Sequence, residues 1–246
     1  MPLPIGSGFF VTFICFKTFH MPLDLERVAL IGRTYNEYKR MFDVTRESLE
    51  NKKILDVAAG VSNFCAIGNV FGLNITAVDP IYHLMADEIE IQAEKDLELV
   101  VNQLPVNSSH YNWDFYGDIE GVRVSRMKAY QTFLTDYQNN PSNYIPGEIG
   151  NLPFEDKSFD VTLVSHLMFL YDNLFSAEDH IAMFRELLRV TREEIIIFPT
   201  KNLSGENCKW VDLIIKNPEF LDHTFRLEKS QFEFQKGNYL RLRVTV

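Results

Sequence analysis

The residues best suited to chemistry stand at the ends of short apolar runs. Ile54-Leu55-Asp56-Val57 leads into Ala58-Ala59-Gly60-Val61-Ser62, a loop of small residues that opens a helix pattern. Small side chains let a ligand approach the backbone there, and the free N–H groups of a helix start suit polar partners. About twenty residues later, Ala77-Val78-Asp79-Pro80 ends the next run in a carboxylate. That interval is where a nucleotide-binding unit places the acid that accepts from ribose hydroxyls, although Asp before Pro is also a common turn former. A third run, Phe159 to Ser165, is followed by His166. A histidine at the C-terminal end of a strand faces the ligand crevice of an open α/β sheet, where it fits two readings, a general base and a neutral wall residue.

These residues need elements to carry them. Asp24 to Phe42 reads as one or two helices, with Tyr35, Tyr38, Met41 and Phe42 spaced by three and four. Ile54 to Val57 and Asn74 to Val78 are strands, with a helix between them through about Phe71. Ala86 to Val101 and Arg123 to Tyr137 are helical, the second with a stripe of Met127, Tyr130, Leu134 and Tyr137. Phe159 to Ser165 is a buried strand, Glu178 to Val190 an amphipathic helix, and Glu194 to Phe198 a strand stopped by Pro199. Phe225 to Phe234 and Tyr239 to Val246 flank Lys236-Gly237-Asn238, the pattern of a closing β-hairpin. Strands alternating with helices imply an α/β fold with a mostly parallel sheet, and the hairpin adds an antiparallel C-terminal strand.

The 246 residues carry no internal repeat or Gly/Ser/Pro linker, so one domain, 1–246, is expected. The balance of 24 Lys+Arg against 34 Asp+Glu gives a net charge of -10, which repels phosphate backbones and argues against a nucleic-acid partner. Cys15, Cys65 and Cys208 follow no metal-ligand spacing, and the six histidines are scattered, so no metal is expected. The odd cysteine count fits a reducing cytoplasm, and no apolar run is long enough to span a bilayer. Phe9 to Phe16 is apolar but short and lacks a basic start, so residues 1–20 are taken as an extension, with Met21 as an alternative start.

The stretch Pro146-Gly147-Glu148-Ile149-Gly150-Asn151-Leu152-Pro153-Phe154-Glu155-Asp156-Lys157-Ser158-Phe159-Asp160 resembles the segment before the fourth strand of class I methyltransferases that use S-adenosylmethionine. With the glycine loop and Asp79 it gives three landmarks in family order, covering about 54–199. Gly32 to Phe42, and the tail Phe232-Glu233-Phe234-Gln235-Lys236-Gly237 with Tyr239-Leu240-Arg241, resemble an uncharacterised bacterial branch. The resemblance implies a Rossmann-like, seven-stranded sheet with helices on both faces. It also implies S-adenosyl-L-methionine as cofactor, S-adenosyl-L-homocysteine as product, and transfer of a methyl group to a small-molecule acceptor.

Carried over residue by residue, the resemblance puts Asp56, Ala58 and Gly60 around the methionine half of the cofactor, with Asp56 near the ammonium. Asp79, with Pro80 beside it, would hold the ribose. Glu148 would approach the adenine amino group, with Ile149 against the ring, and Ser165 with His166 would line the floor near the methyl group. The family's three alternate glycines read Ala58, Gly60 and Ser62 here, and Ser62 also suits a helix cap. The helical segment 24–45 would act as a cap, with Arg33 meeting the methionine carboxylate and Tyr38 beside the sulfonium; a docking helix with core aromatics fits equally.

Nearly seventy residues separate Asp79 from Glu148, too many for one crossover. A helical insertion, about 86–140, is expected between the second and third strands as a lid. Its Trp113, Tyr116, Arg126 and Tyr130 are the candidate acceptor-binding residues, aromatic groups with a cation suited to a carboxylate or phosphate. Two rival classes remain on the residues alone. A nicotinamide oxidoreductase needs Gly-x-Gly-x-x-Gly, which is absent, whereas a non-catalytic S-adenosylmethionine sensor fits the altered glycine loop.

Overall fold

Strands β1 (Lys53–Val57), β2 (Asn74–Val78), β3 (Tyr144–Ile145), β4 (Phe159–Ser165), β5 (Thr191–Phe198), β6 (Thr224–Lys229) and β7 (Leu240–Thr245) lie in one sheet, in the order β3-β2-β1-β4-β5-β7-β6. The computed structural model describes residues 27–246. β1 pairs in parallel with both β2 and β4, and β7 runs antiparallel to β5 and β6. The central strands are apolar on both faces because helices cover both. Ile196 of β5 joins one core cluster, while its neighbours Ile195 and Ile197 join the other, as the two-residue period of a strand requires.

Helices α1 (Tyr35–Phe42), α3 (Phe64–Val70), α4 (Ala86–Gln103) and α5 (Ile119–Asn139) supply the first cluster. α2 (Arg46–Leu49) is a single turn, and α6 (Ala177–Val190) with α7 (Lys209–Ile215) supplies the second cluster. α1 starts at a reciprocal cap, in which Thr34 accepts from the Glu37 N–H and Glu37 accepts from the Thr34 N–H. α4 and α5 form the helical insertion between β2 and β3. Ile89, Ala93 and Leu97 of α4 and Phe133 of α5 are buried in the core, so much of the insertion is structural packing.

Three sequence expectations shift. The N-terminal helix begins at Tyr35, and Arg27 to Arg33 is not helical. There the N–H of Leu30 donates to Asp96 at 2.7 Å and that of Ala29 to the Tyr171 hydroxyl at 3.2 Å. Gly32 lies so close to the Val61 carbonyl that a Cβ would sit 2.3 Å from its oxygen. The closing strands do pair, but β6 ends at Lys229 rather than Phe234. Phe232 and Phe234 leave the sheet to pack on Phe115, Tyr116 and Tyr111. Ser62 does not cap α3; its hydroxyl donates to Tyr38 at 3.2 Å. The extension 1–20, the Met21 start, Cys15 and the first residues of the 24–45 segment lie outside the described residues.

Candidate active site

Strand order reverses between β1 and β4, and in an open α/β sheet the crevice beyond the C-terminal strand ends at such a point takes the ligand. A cavity of about 780 Å³ opens there. Ala58 and Gly60 from the loop after β1, Asp79 and Pro80 from the end of β2, and Glu148 and Ile149 from the segment before β4 line one part of it. Ser165 and His166 line it from the end of β4, and Arg33 and Tyr38 from the N-terminal side.

The loop geometry follows from its small residues. Gly60 has φ +52°, which glycine adopts at no steric cost, whereas Ala58 holds φ +54° against the clash of its Cβ. Beyond Gly60 a Cβ would meet only the Leu30 side chain, at 3.9 Å, so the space over this backbone is open. The Gly60 N–H donates to Asp79 Oδ2 at 3.0 Å and the Ile81 N–H to Oδ1 at 3.1 Å. Burial pushes the Asp79 carboxyl up to about 6, against the pull of these two bonds. The Tyr82 hydroxyl donates to the Gly60 carbonyl at 2.8 Å, fixing the loop from below.

Asp56 behaves differently from its expected place. It is fully buried and does not line the cavity. The Tyr38 hydroxyl donates to Oδ1 at 3.0 Å, and Oδ2 is buried without a partner. Burial drives its carboxyl well above the usual range, and the nearby Asp79 adds to this. Tyr38 and Ser62 stand at the cavity wall in its place, because α1 lays Tyr38 across the end of β1.

His166 has φ +53°, and its N–H donates to the Phe198 carbonyl at 2.7 Å. Ser165 Oγ and His166 Nδ1 are 2.9 Å apart. Burial, then the charges of Arg33 and Arg126, holds this imidazole well below its usual pKa, so it is neutral at pH 7.

Of the four insertion residues expected at an acceptor site, Arg126 lines the cavity, whereas Trp113, Tyr116 and Tyr130 do not. Trp113 donates from Nε1 to the Ser108 carbonyl and packs on Tyr111 and Phe234. The Tyr116 hydroxyl donates to Glu37 at 2.5 Å, and Tyr130 is in the core. Arg126 donates to Glu37 at 2.6 Å and to the Tyr116 hydroxyl at 2.6 Å. Burial alone would raise the Glu37 carboxyl, but Arg126 and then Arg33 hold it below its usual range.

Residues given no individual role in the sequence expectations complete the wall. Arg27 to Ile31 form a strap across it, tied to α4 by Asp96, and Tyr111, Phe232, Phe234 and Gln235 form an aromatic corner. The tail motif at Phe232 to Gly237 was a signal for that corner, but nothing local indicated where it would fold.

Several observations test whether S-adenosylmethionine fits. Gly60 leaves its backbone open, Asp79 keeps a second lone pair on each oxygen for hydroxyl donors, and Arg33 Nε is buried without a hydrogen-bond partner, 3.8 Å from Glu37. The ribose and carboxylate ends therefore find matching groups. Asp56 does not, being shielded by Tyr38.

The sequence comparisons agree with this geometry. Residues 117–198 match the family model described as "Methyltransferase domain". With the sheet order, this domain match gives the chain the class I, Rossmann-like methyltransferase fold, the fold of enzymes that use S-adenosyl-L-methionine. Within that class it belongs to the same family as the uncharacterized protein MJ0045 of Methanocaldococcus jannaschii. The two are 41% identical over 216 residues, 87% of this chain and 95% of the relative. That relative is archaeal, where the sequence resemblance pointed to a bacterial branch.

Solved structures of similar fold include magnesium protoporphyrin IX methyltransferase from Synechocystis PCC 6803 with bound S-adenosylhomocysteine. It is 11% identical with a TM-score of 0.44, over 81% of this chain and 75% of that one. Another is the PH0226 protein of Pyrococcus horikoshii OT3, 14% identical with a TM-score of 0.41, over 85% and 89%. No helix among the described residues is long and apolar enough to cross a membrane.

Proposed function

We propose that the protein transfers the methyl group of S-adenosylmethionine to a small-molecule acceptor by direct in-line displacement. The observation that carries this reading is the bond from the Gly60 N–H to Asp79 at 3.0 Å, which joins the two strand ends at the cavity wall. Asp79 accepts the ribose hydroxyls, with Pro80 beside it, and Glu148 and Ile149 hold the adenine. Ala58 and Gly60 bring their backbone against the cofactor, and Tyr38 stands where Asp56 was expected. When bound, S-adenosylmethionine supplies a methyl group already activated by its sulfonium, so alignment and proximity are the main contribution asked of the protein.

His166 is the residue for the proton. Its ring, which lines the cavity, takes the proton that an O–H or N–H acceptor releases as the acceptor's bond to the methyl carbon forms and the carbon–sulfur bond breaks; burial and the Arg33 and Arg126 charges weaken it as a base. The strap 27–31 and α1 act as the cap, and Tyr111, Val122 and Arg126 of the insertion line the wall beside them.

A screen with methyl-labelled cofactor and a panel of small acceptors tests the reading. Labelled product with at least one acceptor is the expected result. Tight binding of S-adenosylhomocysteine with no transfer to any acceptor would favour a cofactor-binding sensor instead.

A further inference from the structure

The loop that joins β6 to β7 brings an unpaired amide to the cavity wall. Gln235 to Asn238 form a tight turn, in which the Asn238 N–H donates to the Gln235 carbonyl at 2.9 Å and Gly237 takes φ +80°. The insertion holds this turn from outside. The Asn112 N–H donates to the Phe234 carbonyl at 2.7 Å, and the Lys236 N–H to the His110 carbonyl at 2.9 Å. Gln235 and Asn238 both line the cavity, and one backbone carbonyl fixes the polarity of both amides. The Leu203 carbonyl can only accept, so Gln235 turns its Nε2 toward it, at 3.0 Å. Its Oε1 is left to accept from Asn238 Nδ2 at 3.1 Å. Asn238 Oδ1 therefore ends the relay. Asn238 is 6% exposed, and this oxygen is buried with no hydrogen-bond partner among the described residues. An unpaired buried acceptor is costly, so the relay lacks one donor.

The surroundings of this oxygen are aromatic. Tyr111, Phe232 and Phe234 line the cavity, with Tyr111 stacked on Phe234 at 4.6 Å between ring centroids. Phe198 links this corner to the floor, its ring 6.2 Å from Phe232 and 5.4 Å from His166. In the sheet, β4 with His166 at its end lies between β2, which carries Asp79, and β7, which the turn precedes. The corner is thus on the far side of His166 from the ribose acid. We propose that Asn238, set by Gln235, receives an N–H or O–H of the methyl acceptor, and that the acceptor is a neutral aromatic molecule lying against the Tyr111–Phe232–Phe234 corner. The assignment to the acceptor rests on the methyltransferase reading. A carboxamide oxygen repels an anionic group, and the Arg33 and Arg126 charges that act on His166 disfavour a cation there. Because Oδ1 is buried, a slim donor at the edge of a flat ring is the group suited to reach it, with the ring face or edge against the corner.

Calorimetry on the full chain saturated with S-adenosylhomocysteine tests this with two probes. Indole carries a ring N–H, and benzofuran has nearly the same shape with an ether oxygen in its place. Indole should bind roughly tenfold more tightly, since benzofuran leaves Oδ1 unpaired. Asn238→Leu should erase that preference while leaving the affinity for S-adenosylhomocysteine unchanged. Gln235→Leu frees the Asn238 amide to turn, so it should bring the ratio toward one while both probes still bind, as a positioning residue requires. Equal binding of the two probes to wild type, or binding of neither, overturns the inference. A preference for indole that survives Asn238→Leu also overturns it. So does loss of S-adenosylhomocysteine in that variant, which would give the oxygen to the cofactor. If Asn238→Leu fails to fold, the wild-type ratio and Gln235→Leu still decide. Failure of wild type to bind S-adenosylhomocysteine would instead sink the methyltransferase reading, and the indole-to-benzofuran ratio of the ligand-free protein would then decide the donor seat alone.

Discussion

The N–H of Gly60 donates to Asp79 Oδ2 at 3.0 Å, tying the loop after β1 to the end of β2. Two residues nineteen positions apart in sequence thereby form one wall of the cavity. Asp79→Ala should weaken S-adenosylhomocysteine about tenfold or more, since hydrogen bonds to a charged acceptor are worth roughly 1.5–3 kcal/mol. Calorimetry giving an unchanged affinity would remove Asp79 from the ribose site.

The same carboxylate predicts a pH dependence. Burial lifts Asp79 to about 6, from an unfolded value of about 3.9. Between those values the native state holds more protons than the unfolded state, so stability falls as pH rises. The melting-temperature gap between the ligand-free Asp79→Asn variant and wild type should therefore shift in the variant's favour as pH rises from about 4 to about 7.5, on top of a pH-independent loss, because the Asn amide cannot accept from both the Gly60 and the Ile81 N–H. Cofactor affinity should run the other way and rise through about pH 6, because ribose hydroxyls donate best to the ionised form. Melting curves in which the gap is independent of pH would contradict the buried-carboxylate account.

Arg126 was expected to meet the acceptor, but its partners are Glu37 and Tyr116. Arg126→Ala should destabilise the fold by roughly 3–5 kcal/mol, because it leaves Glu37 buried without its closest cation. Chemical denaturation would measure this, and Glu37→Gln combined with Arg126→Met should recover part of the loss. Wild-type stability in Arg126→Ala would show that the pair contributes little.

Asp96 on α4 accepts from Arg27, from the Leu30 N–H at 2.7 Å and from Gln92 at 2.7 Å, and so pins the strap over the cavity. Asp96→Ala should speed release of S-adenosylhomocysteine and expose Arg27 and Arg33 to trypsin. Stopped-flow displacement and limited proteolysis read these two effects. Unchanged release would mean that ligands leave without the strap moving.

His166 occupies a left-handed backbone position that asparagine tolerates better than most residues. His166→Asn should keep cofactor affinity while lowering methyl transfer by about a hundredfold, the scale of a lost general base. Turnover within a few-fold of wild type would make His166 a wall residue.

The chain itself determined the strand–loop–helix unit at Ile54 to Phe64, the acid at Asp79, the buried strand before His166 and the place of the helical insertion. These depend on neighbours in sequence: apolar periodicity, small residues at a turn, a carboxylate at a strand end. The tertiary structure alone decided which side chains reach the cavity. Tyr111, Phe232 and Phe234 face it while Trp113, Tyr116 and Tyr130 do not, although all are aromatic and three of them lie within one short segment. Glu37 neutralises Arg126 from 89 positions away, and Arg27 finds Asp96 across 69. Such pairings arise only when α1, α4 and α5 pack on the same face of the sheet, and no local pattern encodes which charge another element will bring.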